Sequence, residues 1–127
     1  MRFDTTIALL TAAIASTQFP LIPGVSREIL SQHNISIPNH DTIQALVHFG
    51  CEASFPRHTH PGEEVIYVRD GVLEYTIDGQ HPVVLKGGDN FFIPAGVVHS
   101  VRNLSKKNST ELATYILQSD KPVITYV

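Results

Sequence analysis

Between positions 42 and 118, apolar and polar residues alternate in short runs broken by turn-forming residues, with no useful stretch of helical period. The pattern predicts strands over residues 43–49, 55–60, 64–69, 72–77, 81–85, 90–93, 99–103 and 112–118. Asp70-Gly71 and Asp78-Gly79 are hairpin signals, and Lys86-Gly87-Gly88-Asp89 and Pro94-Ala95-Gly96 are further turns. The polar stretch 103–110 reads as a loop. Many short strands at near-regular spacing predict an all-β sandwich or barrel. Residues 20–41, carrying Pro20, Pro23, Gly24 and Pro38, read as an arm that wraps the barrel or pairs with another subunit.

Composition narrows the picture. A chain of 127 residues suits one domain, and 43% apolar with 17% charged residues is an ordinary globular balance. A net charge of −3 offers no general attraction for nucleic acid or an anionic membrane, so neither is an expected partner. Lys106-Lys107 reads as a solvated loop. Cys51 stands alone, which excludes an intramolecular disulfide and leaves the fold to its core.

At the N-terminus, Arg2 precedes an apolar run from Ile7 to Ala15 that is too short to span a bilayer. Ala13-Ile14-Ala15 before Ser16 has the small-x-small form of a signal-peptidase site. Asp4 speaks for the rival, a short N-terminal helix. The reading is therefore an export signal over residues 1–15, an arm over 16–41 and a barrel domain over 42–127. Without cleavage the protein would be cytoplasmic.

Candidate chemistry centres on His58-Thr59-His60. Side chains at i and i+2 of a strand share a face, so two imidazoles converge on one point. Pro61-Gly62 breaks the strand, Glu64 opens the next, and His99 follows the turn at residues 94–96. Three imidazoles and a carboxylate suit one divalent transition metal, Fe, Mn, Ni, Cu or Zn. His33, His40, His48 and His81 fit no ligand spacing. Asn34, Asn103 and Asn108 each begin an Asn-x-Ser/Thr triplet, relevant only to a chain secreted by a eukaryote.

The stretch His58-x-His60-x-x-x-Glu64 followed by Gly71 resembles the first cupin motif. Gly88, Pro94, Gly96, His99 and Asn103 resemble the second at every defining position, with residues 72–87 between the two. One position departs: the motif starts with Gly six residues before its first His, and here Glu52 stands there. The resemblance covers about residues 42–118. It implies a double-stranded β-helix, the jelly-roll barrel, with metal ligands His58, His60, Glu64 and His99. It also implies a small-molecule substrate, a homodimer, and chemistry of the quercetin-dioxygenase kind, with non-oxidative isomerase, lyase or decarboxylase action or simple ligand binding as alternatives. Glu64 doubles as a candidate general base when it detaches from the metal. Phe55, Ile66, Val68 and Phe92 (or Phe91) are expected to line an apolar pocket, with Arg57 or Tyr67 facing it if strand parity is off by one.

Overall fold

The computed structural model describes residues 19–127, so the expected export signal lies outside the described residues. Among these residues there are ten strands and no helix. They are β1 (Val25–Asn34), β2 (His40–Phe49), β3 (Ser54–Thr59), β4 (Gly62–Asp70), β5 (Val72–Ile77), β6 (Val83–Lys86), β7 (Asn90–Ile93), β8 (His99–Asn103), β9 (Ser109–Gln118) and β10 (Thr125–Tyr126). Two antiparallel sheets face each other, one ordered β1-β2-β9-β4-β7 and the other β10-β3-β8-β5-β6. This is the double-stranded β-helix that the resemblance implied.

Period-two alternation explains which face is inside. Ile43, Ala45, Val47 and Phe49 of β2 are buried, as are Glu64, Ile66 and Val68 of β4 and Leu73 and Tyr75 of β5. Register stacks these inward positions into rows across the first sheet. Ile43, Tyr115, Glu64 and Ile93 form one row; Ala45, Ala113, Ile66 and Phe91 form the next; Val47, Glu111 and Val68 form the third. The row of two alanines is low, and it separates Glu64 from Glu111.

Several elements differ from the sequence reading, among them β10, which it did not predict, and β4, which starts at Gly62 rather than Glu64. Residues 25–34, read as part of an arm, pair antiparallel with β2 as strand β1 of the same sheet. Strand β9 starts at Ser109, inside the stretch read as a loop, because Ser109, Thr110 and Glu111 are buried polar residues. Strand β6 begins at Val83, two residues later than expected, since Pro82 has no N–H to give a ladder.

The corner before β3 accounts for the departure at Glu52. Its φ is 55°, so the left-handed backbone that a glycine would supply is kept by a glutamate. The turn closes through Ala53 N–H donating to the Gly50 carbonyl at 3.0 Å. Below it, the buried Asn103 amide donates to the carbonyls of Phe49, Gly50 and Lys107. Its oxygen accepts from Ser105 N–H and from the Ser109 hydroxyl. Asn103 thus fixes the 103–109 loop. Its amide is buried, so its Asn-x-Ser triplet is no accessible acceptor.

Candidate metal centre

His58 and His99 are direct cross-strand partners on β3 and β8, which aims both imidazoles into the interior. A register shift between Phe55 and His58 lets both point inward although they are three residues apart. His60 lies just past the end of β3. Glu64 reaches the same region from the opposite sheet, and its placement depends on Gly62. A Cβ on Gly62 would stand 1.8 Å from the Ile116 carbonyl oxygen, so β4 meets β9 this closely only without a side chain.

The four side chains predicted from the sequence come together, all buried at 1–4% exposure. One ligand atom from each of His58, His60 and His99 lies within 4.8 Å of the others. Glu64 Oε1 joins from the His60–His99 side, 3.2 Å from His60 Nε2 and 3.4 Å from His99 Nε2.

Hydrogen bonds on the far side of each ring settle which nitrogen is free. The Nδ1 atoms of His58, His60 and His99 lie 2.6, 2.7 and 2.9 Å from the carbonyl oxygens of Pro56, Val123 and Val97. A carbonyl only accepts, so each Nδ1 carries the proton and donates. Each ring therefore turns its Nε2 to the shared centre, where it meets Glu64 or an ion. Three Nε2 atoms and a carboxylate this close need protons or a cation between them. The donor set fits a divalent transition metal.

Electrostatics agrees. Burial, with positive charge on His99 and His60 adding to it, holds the His58 imidazole down at about 3. It stays neutral at pH 7, with no proton for a metal to displace. Burial pushes the Glu64 carboxyl up, but hydrogen bonding to His60 and His99 and their charge more than offset this. Glu64 is held below the usual carboxylate range, as a charged ligand.

Around this centre the expected pocket residues divide. Phe55 is buried with its ring 4.6 Å from that of His58, and Ile66 and Val68 are fully buried beneath Glu64. Phe92 does not line the interior: it is 54% exposed, because alternation along β7 turns Ile93 and Phe91 inward and Phe92 out. Tyr67 and Arg57 also face outward, Arg57 pairing with Asp78. A cavity of about 490 Å³ lies over Arg57, Glu74 and Arg102, away from the four site residues.

Sequence reasoning missed a second polar layer. The Tyr115 ring lies 5.0 Å from that of His60, directly across from Glu64 in the β4–β9 register. The Tyr75 hydroxyl donates to Glu111 Oε1, both side chains buried. Arg27 of β1 lies with its guanidinium carbon 4.6 Å from the Phe19 ring centre and 5.0 Å from that of Phe55. Parity along 111–117 was the available signal, since Glu111, Ala113, Tyr115 and Leu117 share a face.

Comparison with known proteins matches the geometry. The family model described as "Cupin domain" matches residues 45–115. The chain is 32% identical over 84 residues to dimethylsulfoniopropionate lyase DddQ of Ruegeria pomeroyi, covering 64% of this chain and 40% of that one. It is 40% identical over 76 residues to quercetin 2,3-dioxygenase of Bacillus subtilis, covering 59% and 22%. The chain thus spans less than half the length of either curated relative. Among solved structures, an RmlC-like cupin from Shewanella frigidimarina superposes with a TM-score of 0.65 at 24% identity, over 80% of this chain and 83% of that one.

Proposed function

The chain belongs to the cupin family, and from that premise we propose that it is a metal-dependent enzyme acting on a small molecule held in the barrel. The observation that carries this reading is the common orientation: three carbonyl-anchored Nδ1–H groups leave three Nε2 atoms facing one another beside Glu64. A bound divalent ion would supply Lewis acidity there, and as iron or copper also redox chemistry. His58, His60, Glu64 and His99 would hold it.

Dioxygenase-like chemistry is the first reading, supported by the apolar walls of Phe55 and Ile66 and by the similarity to quercetin 2,3-dioxygenase. A specific observation favours a second, lyase or isomerase action. Tyr115 lies against His60, and burial raises its hydroxyl well above the ordinary tyrosine value, with the Glu64 charge adding to it. Such a phenol stays neutral and is placed to donate a hydrogen bond to a bound ligand.

Elemental analysis followed by assays on enols, phenols and small acids separates the readings. About one metal per chain with O₂ uptake supports the first reading. Turnover without O₂, reduced by Tyr115→Phe, supports the second. Metal with no turnover leaves a binding protein, and no metal ends the proposal. Export and homodimer formation belong to the same reading. Mature N-terminal sequencing and light scattering test them; an intact Met1 and a monomeric mass would contradict them.

A further inference from the structure

Among the described lysines and arginines only Arg27 is not exposed. It stands at an inward position of β1, in one row with Val47, Glu111 and Val68. Its guanidinium is seated against Phe19 and Phe55, and Phe55 in turn touches the His58 ring. Its charge also acts on the Tyr115 hydroxyl, whose ring lies 5.0 Å from that of His60. One aromatic ring therefore separates this cation from two of the clustered histidines, by two independent routes.

A cation so placed needs a counter-charge. Among the described residues no ion pair engages Arg27. Its Nε is buried without a hydrogen-bond partner among the described residues. The acid in its row, Glu111, accepts from Tyr75 and feels the Arg27 charge, but burial and the charge of Glu64 push it up to about 8. Among the described residues, Gln32 Oε1, farther along β1, is the other buried polar side-chain atom without a partner. The inward edge of β1 thus carries polar capacity that the fold does not use.

We infer that Arg27 is the specificity-determining residue for an anionic ligand, and that the small molecule taken by this barrel carries a carboxylate. Resting on the metal-site reading above, this assigns the two ends of the ligand. Arg27 receives the carboxylate through its planar fork, and the rest of the molecule extends past Phe55 or Tyr115 toward the histidines. Lysine would keep the charge and lose the fork.

The test uses the full ¹⁵N-labelled chain loaded with zinc, at low ionic strength. Acetate, lactate and succinate are titrated, each against its own amide, while the Arg27 Nε–Hε cross-peak is followed. That peak is assigned by its absence from Arg27→Lys. The expected result is a saturable shift with at least one carboxylate and at least tenfold weaker binding of its amide. Arg27→Gln should lose tenfold or more in carboxylate affinity, with Arg27→Lys between. Equal binding of acid and amide, unchanged affinity in the variants, or no carboxylate binding would overturn the inference. If Arg27→Gln does not fold, the acid–amide contrast and Arg27→Lys still decide. Zinc content is measured separately. Bound zinc without acid discrimination defeats this inference alone; carboxylate binding to a chain that holds no zinc defeats the metal reading alone.

Discussion

Tyr75 and Glu111 tie the two sheets together through one buried hydrogen bond, from β5 of one to β9 of the other. Burial and the nearby Glu64 charge raise the Glu111 carboxyl to about 8, against the opposing pull of Tyr75 and Arg27. An unfolded glutamate titrates near ~4.3. Between those values the unfolded chain has lost a proton that the folded chain keeps, so this group makes stability fall as pH rises.

Glu111→Gln keeps an acceptor for Tyr75 and removes that titration. Subtracting wild-type from variant stability between pH 5 and 8 should give a difference that grows with pH, with a slope of at most about 1.4 kcal/mol per unit. Taking the difference matters because His58, neutral when folded, makes stability rise with pH below ~6.5. Denaturant melts at each pH supply the curve; parallel curves for the two proteins would refute it.

Glu52 occupies a left-handed conformation at φ 55°. Glycine relieves the Cβ penalty of about 1–2 kcal/mol but adds freedom to the unfolded chain. Glu52→Gly should therefore be more stable by roughly 0.5–1 kcal/mol. Glu52→Ala should show no such gain, since alanine keeps the Cβ. Thermal melts distinguish backbone strain from loss of the glutamate side chain.

Asn103 satisfies three backbone carbonyls and two donors at 1% exposure. Replacing it by alanine leaves several of these groups buried and unpaired, at roughly 3 kcal/mol or more. Asn103→Asp should be no better, because it sets a carboxylate against three carbonyl oxygens. Chemical denaturation checks both, and a loss under about 1 kcal/mol would show that the loop is held otherwise.

Deleting residues 123–127 tests how His60 is oriented. Val123 supplies the carbonyl that accepts its Nδ1–H, and β10 covers His58 through the Tyr126 pairing. Metal affinity should fall by about 10–100-fold in this truncation while the barrel still folds. Competition with a chromogenic chelator reads the affinity, and circular dichroism the fold.

Two strand positions and a motif were enough to bring His58, His60, Glu64 and His99 to one centre, because ligand direction follows from strand parity. The turns were equally readable from Gly71, Gly79 and Gly96, all at positive φ. Strand β1 was hidden because Arg27, Ser31 and Gln32 are polar at positions that turn toward the protein, so its run carries no clean alternation. The start of β9 was hidden for a related reason. Ser109 and Glu111 are polar in sequence but buried in hydrogen bonds to Asn103 and Tyr75, partners 6 and 36 residues away. Local pattern does not report a polar residue whose partner lies in the other sheet. Phe92 failed by parity alone, one residue from the inward Phe91.

The central claim is that one divalent ion sits where three Nε2 atoms and Glu64 meet. X-ray absorption spectroscopy of the zinc-loaded protein tests it most directly. The expected spectrum has nitrogen and oxygen neighbours at about 2.0–2.1 Å, outer-shell scattering from three imidazoles, and one zinc per chain that disappears in His99→Ala. Zinc bound through fewer imidazoles, or retained undiminished in His99→Ala, would contradict the account.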